Sequence, residues 1–243
     1  MELLPACTLV ASGDLGFGIT DPWDGHAYLL RTGTGNVLVD TGSGHEPASL
    51  IANVENALGG GRLDAIVLTH GHIDHAGGAA AIAARFDVPA YAHAIAAARL
   101  AAADEDGIGL AAARRAGLYP ADTTLTPLPG VRDATGPELA SLGVAAIPCP
   151  GHSDDSMVYR VDLPTGVAVF TGDVVFAQGR VALLDAADTD VAALEASIRG
   201  IAALSPDHLF PGHGAVALAR GHVHLDAAVA AFDAGCVPQG LVA

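Results

Sequence analysis

Asp64-Ala-Ile-Val-Leu-Thr-His-Gly-His-Ile-Asp-His75 is an apolar run that ends in a knot of metal-binding chemistry. Ala65 to Leu68 is short, continuous and bounded by polar residues, the pattern of a buried strand. Just beyond it stand His70, His72, Asp74 and His75, three imidazoles and a carboxylate within six residues. Charged imidazoles this close would repel one another, and the group has little packing value. A first-row metal accounts for it, because imidazole nitrogen and carboxylate oxygen are the ligands such ions take. Gly71 lets the chain turn between two histidines, so that His70 and His72 can face one ion and Asp74 and His75 a second. Gly77 and Gly78 let the next helix start close against the cluster.

Outward from this stretch, three later turns carry the same chemistry. They are Pro150-Gly-His-Ser153, Thr171-Gly-Asp173 and Pro211-Gly-His-Gly214. His152, Asp173 and His213 each follow a glycine, which allows the backbone to approach a crowded centre. In isolation, His152 or His213 would read as an ordinary loop histidine. Together with the early cluster they make seven ligands. One tetrahedral ion takes about four, whereas two ions sharing a bridge at ~3.5–4 Å use such a number.

Composition narrows the partners. The chain has 243 residues, a formal charge of −16 and 51% hydrophobic residues, enough for a sizeable core. All 11 basic residues are arginines. The acidic balance disfavours nucleic acid and anionic membranes as partners, and the lack of lysine excludes Schiff-base catalysis. A small-molecule substrate is expected; the oligomeric state is not legible. Cys7, Cys149 and Cys236 form no CxxC pair and read as free thiols of a reducing compartment. The start, Met-Glu-Leu-Leu-Pro, lacks a basic secretory region. The Ala-rich stretch from Ala79 to Ala103 is interrupted by Arg85, Asp87, His93 and Arg99, which is poor for a membrane span. The expectation is a cytoplasmic protein.

The elements alternate. Ala27–Leu30 and Asn36–Asp40 flank Thr32-Gly-Thr-Gly35 as a hairpin. Helices are expected over Ala48–Leu58, Gly77–Phe86, Ile95–Ala103, Leu110–Ala116, Asp190–Leu204 and roughly Ala217–Phe232. Further strands are expected at Val88–Tyr91, Val144–Ile147, Met157–Tyr159, Val167–Phe170 and Leu209–Phe210. No linker divides the chain, so residues 1–243 read as one domain: two sheets face to face, helices outside, and the ligands on loops along one edge.

Leu38-Val-Asp-Thr-Gly42, His70-Gly-His-Ile-Asp-His75, Gly151-His152, Gly172-Asp173 and Gly212-His213, in that order, resemble the metallo-β-lactamase superfamily. The resemblance covers Leu38 to His213. It implies an α/β (α+β) fold, a four-layer αββα sandwich. It also implies that His70, His72 and His152 hold one metal and Asp74, His75 and His213 the second, with Asp173 bridging. Asp40 would orient a ligand histidine. The implied cofactors are two Zn2+, with iron or manganese as alternatives, and Asp74 is the candidate to orient water and carry its proton.

For substrate, the expectation is a small thioester, ester or lactone. Alternatives are a mononuclear iron persulfide dioxygenase, a β-lactam hydrolase, or a catalytically silent binding module. A glutathione thioester is disfavoured because the residues after His213 hold one basic side chain, Arg220. Val174, Val175 and Phe176 stand where similar lactonases usually offer a tyrosine. His26 reads as either pocket-facing or structural, and His93, His222 and His224 as local or surface residues. Cys149 reads as a buried small side chain. Trp23 and Phe17, in the Gly13–Gly25 loop, either cover the substrate or pack on the sheet.

Overall fold

The structure, a computed structural model, describes residues 1–241. The chain opens with β1 (Glu2–Leu4), β2 (Cys7–Ala11), β3 (Ala27–Arg31) and β4 (Asn36–Val39), followed by α1 (Pro47–Leu58), β5 (Ala65–Val67), α2 (Ile73–Ala76) and α3 (Ala79–Phe86). Next come β6 (Ala90–Ala92), α4 (Ala94–Ala102), α5 (Leu110–Arg115), β7 (Arg132–Asp133) and α6 (Pro137–Ser141). The second half holds β8 (Val144–Pro148), β9 (Met157–Leu163), β10 (Gly166–Gly172), α7 (Val191–Ala202), β11 (His208–Pro211) and α8 (His222–Asp233).

β1 to β7 form one sheet in sequence order, antiparallel as far as β4 and parallel from β4 to β7. The second sheet runs β11-β10-β9-β8, with β10 and β11 parallel. Alternation along the strands sorts the apolar side chains into three cores. Leu9, Tyr28, Val37 and Val67 of the first sheet meet Tyr159, Val161, Phe170 and Phe210 of the second. Leu50 and Val54 of α1, Ile82 of α3 and Leu100 of α4 cover the outer face of the first sheet. Leu194, Ile198 and Ile201 of α7, with Leu225 and Ala228 of α8, cover the outer face of the second. The result is the expected αββα layering.

Two buried tyrosines bond the sheets where the site will form. Tyr159 Oη donates to the Leu68 carbonyl at 2.7 Å, and Tyr28 Oη to the Pro211 carbonyl at 2.6 Å. Burial pushes both hydroxyls well above the ordinary phenol range, which keeps them neutral donors. Each tyrosine fixes the end of a strand two residues before a candidate ligand, His70 or His213.

Two expected helices differ in detail. The segment from Gly77 to Phe86 begins as a helix only at Ala79, after the separate turn α2. The last helix begins at His222 rather than Ala217, because Ala217 pairs with Leu209 as a β-bridge and Arg220 takes φ 55°. Apolar spacing cannot register either event. Among the described residues, no helix is long and apolar enough to cross a membrane.

Candidate metal centre

β4 delivers Asp40, β5 delivers Thr69 and His70, β10 delivers Asp173 and β11 delivers His213, all at carboxyl ends of strands. Rigid strands thus aim loop residues at one edge. His72 stands at the N-cap position of α2 without bonding to it through its side chain, and Asp74 and His75 lie on its single turn. His152 comes from the turn between β8 and β9.

Close approach explains two glycines. A Cβ on Gly212 would collide with Asp173 Oδ1 and lie 2.6 Å from His75 Cε1, so any side chain there would enter the centre itself. A Cβ on Gly77 would strike the Ser43 carbonyl, which fixes how closely the Asp40 loop and the histidine turn pack.

All seven expected residues converge. Three sets have ligand atoms mutually within 4.8 Å: His70, His72 and His152; Asp74, His75 and His213; and His70, His75 and Asp173. His152 Nε2 lies 3.0 Å from His72 Nδ1, and His75 Nε2 lies 3.3 Å from both His213 Nε2 and Asp173 Oδ1. Asp74 Oδ2 stands 3.1 Å from His213 Nε2. Asp173 Oδ2 reaches both groups, 3.5 Å from His213 Nε2 and 3.9 Å from His152 Nε2. His70 Nε2 and Asp173 Oδ1 are buried without a hydrogen-bond partner. Buried polar atoms are paired as a rule, and a bound cation would supply the partner these two lack. The donor set of imidazoles and carboxylates suits a pair of first-row divalent ions.

The far sides of the rings are tied down, which fixes their tautomers. His75 Nδ1 donates to Asp40 Oδ2 at 3.0 Å, and His152 Nδ1 donates to the Ala182 carbonyl at 2.9 Å. Thr69 Oγ1 donates to Asp40 Oδ2 at 2.7 Å, so its contact of 3.0 Å with His70 Nδ1 places the proton on that nitrogen. His70, His75 and His152 therefore all turn Nε2 toward the centre.

The charges are organised by burial and by neighbours. Burial, then the surrounding histidines, holds His70 well below and His152 below the usual imidazole range. For His75 and His213 burial opposes charge, but Asp74 and Asp173 outweigh it and raise both. Burial likewise disfavours ionised Asp74 and Asp173, but the histidines prevail, and both carboxyls lie far below the ordinary range. Two ionised carboxylates, each held so by positive charge on the neighbouring imidazoles, form a cage for positive charge.

The turn carrying His152 has its own support. Arg99 grips Asp154 through Nη1 at 2.6 Å and Nη2 at 3.0 Å, and Nη1 lies 3.3 Å from Asp155. Asp155, buried, accepts from Ser153 Oγ at 2.7 Å.

The buried ring of His26 packs against the His213 loop, its Nδ1 2.9 Å from Tyr28 Oη and 3.1 Å from the Pro211 carbonyl, while its Nε2 has no hydrogen-bond partner. In the Gly13–Gly25 loop, Trp23 lines a cavity beside Asp74 and His213, whereas Phe17 packs toward His26 at 5.5 Å between ring centroids. Cys149 is buried, as expected. His93 caps α4 locally, its ring accepting from Ile95 N at 3.3 Å. Tyr119 escaped sequence reading. Its hydroxyl, raised by burial and then by Asp74 and Asp173, belongs to a loop with no motif, and only tertiary packing brings it to the cavity.

Residues 20–213 match the family model described as the metallo-beta-lactamase superfamily. The chain belongs to this superfamily of metallo-hydrolases. A hydroxyacylglutathione hydrolase of Acidiphilium cryptum is 32% identical over 186 residues, 76% of this chain and 62% of that protein. The match therefore spans less than two thirds of that relative's length. An atrochrysone carboxyl ACP thioesterase of Aspergillus fumigatus is 27% identical over 191 residues, 79% of this chain and 51% of that one. Among solved structures, TTHA1623 in a di-iron-bound form is 33% identical, with a TM-score of 0.65, over 82% of this chain and 91% of that one. An archaeal superfamily protein from Sulfolobus tokodaii, 20% identical, shares the fold at a TM-score of 0.67 over 91% and 85% of the two chains.

Proposed function

We propose that this protein is a dinuclear metal-dependent hydrolase of a small carboxylic thioester, ester or lactone. The observation that carries the reading is the convergence of two complete ligand triads around Asp173, with His70 Nε2 and Asp173 Oδ1 otherwise unpartnered. A mononuclear iron dioxygenase would leave the triad of Asp74, His75 and His213 without a purpose. The thioester-cleaving names of two relatives support the acyl class. Zinc is the proposed metal; the di-iron form of TTHA1623 keeps iron as the competitor. The proposed setting is cytoplasmic, which suits free Cys7 and Cys149. The proposed partner is a small molecule rather than nucleic acid or membrane.

His70, His72 and His152 would hold one ion and Asp74, His75 and His213 the other, with Asp173 shared. When bound, such a pair supplies Lewis acidity, polarising a carbonyl and lowering the pKa of water toward ~7. Asp74 lines the cavity, and its carboxylate is held ionised by His75 and His213. In this reading it accepts a proton from the attacking water and returns it to the leaving group. Tyr119 and the leucines around it form an apolar wall beside the reacting face.

The test is Asp74→Asn. Its kcat falls ~10²- to 10⁴-fold, while its metal content, measured by mass spectrometry, falls far less. Chelation abolishes wild-type activity, and added metal restores it. Near-normal turnover in the variant would remove Asp74 from the chemistry.

A further inference from the structure

The geometry points to an uncharged, apolar acyl group as the part of the substrate this site selects, an inference that rests on the hydrolase reading above. A cavity of about 530 Å³ opens directly on His72, Asp74, His152 and His213. Its walls away from these ligands are almost wholly aliphatic. Leu15, Leu118, Tyr119, Leu183, Leu184 and Leu241 line the cavity.

Three of these leucines are held in solvent. Leu15 is 54% exposed, Leu118 63% and Leu184 47%. They come from three loops far apart in sequence and meet at one mouth. A single exposed leucine needs no explanation, but a ring of them around a cavity marks a surface built to be covered by an apolar ligand.

Charge points the same way. Among the described residues, no arginine lines this cavity or the adjoining one beside Trp23, and the adjoining wall carries Asp14 and Asp24 instead. The two arginines nearest the cavity are engaged elsewhere: Arg114 is bonded to Glu105 and the Thr123 carbonyl, and Arg180 to the Leu241 backbone carbonyl. A carboxylate or phosphate at the far end of an acyl chain would enter this space without a cationic partner, which is costly. An alkyl chain would lose only water.

The test compares thioesters with one leaving group, N-acetylcysteamine, and acyl groups of rising length: acetyl, butanoyl, hexanoyl and octanoyl, with adipoyl as the anionic counterpart of octanoyl. For the metal-loaded enzyme, kcat/KM rises roughly fourfold per buried methylene until the cavity is filled. Octanoyl is preferred over adipoyl by about 100-fold or more. Leu118→Arg and Leu184→Arg, both at exposed positions, each narrow that preference at least tenfold by giving the carboxylate a partner. Adipoyl hydrolysed as well as octanoyl would overturn the inference while leaving the hydrolase reading intact.

If no thioester in the series, and no matching ester or lactone, is turned over, the hydrolase reading fails. The apolar selection is then read by binding. Trp23, the single tryptophan, reports on the metal-free protein titrated with octanamide and with the monoamide of adipic acid. Octanamide changes its fluorescence at tenfold lower concentration or better; equal responses would overturn the inference.

Discussion

Asp40 occupies a position with φ 60° at the end of β4, a conformation that asparagine and aspartate tolerate better than most residues. Its carboxylate accepts from Thr69 N at 2.7 Å, from Thr69 Oγ1 and from His75 Nδ1. One side chain thereby sets the tautomers of His75 directly and of His70 through Thr69. Asp40→Asn keeps the backbone geometry but places an amide where two donors need an acceptor. It should weaken metal binding ~10- to 100-fold, read by titration against a competing chelator; unchanged affinity would deny the network its role. His26 gives a pH prediction. Burial, then the nearby His213, lowers its pKa to about 3. Between that value and its ordinary 6.5, the unfolded chain takes up a proton that the folded chain refuses. The stability this group contributes is therefore complete above 6.5 and lost as pH falls toward 3, with a slope approaching ~1.4 kcal/mol per pH unit. Urea unfolding of metal-free His26→Gln should show a shallower decline over that interval than the native protein. The ligands were legible because their chemistry is concentrated in adjacent residues. Tyr119, Leu118 and Leu184 were not, since their meeting depends on where loops are carried by the folded sheets.

At the scale of elements, α7 shows how a helix serves a ligand turn. Asp190 Oδ1 accepts from Ala192 N at 2.8 Å and Ala193 N at 3.0 Å, satisfying two of the free donors at the helix start. The first turns of the helix also grip the His152 turn. Asp190 N donates to the Gly151 carbonyl at 2.9 Å, and Ser197 Oγ to the Pro150 carbonyl at 2.8 Å. Asp190→Ala should cost about 1 kcal/mol in denaturant unfolding with metal stoichiometry unchanged. A loss of metal without loss of stability would assign Asp190 a different role. The Asp190 cap and the helical spacing of Val191, Leu194, Ile198 and Ile201 are legible in sequence because both are local; the last three are buried, whereas Val191, in the first turn, is exposed. The start of α8 is not legible, since it is displaced by a strand-like bridge from Ala217 to Leu209 that forms only in the folded sheet.

For the whole molecule, two sheets pack through a shared aromatic core in which Phe170 and Phe210 stack at 4.8 Å between centroids. Tyr28 and Tyr159 hydrogen-bond across that core to the strand ends carrying the ligand loops. The layering was legible from the alternation of strand and helix patterns. The pairing of β10 with β11 and the seven-strand order were not, because long-range pairing leaves no local trace. The central claim is that distant turns meet to hold two cations. Stripped protein titrated with zinc and analysed after desalting should retain two ions per chain. His152→Ala and His213→Ala should each retain about one. A single ion in the unaltered protein, or an undiminished count in either variant, would contradict the account.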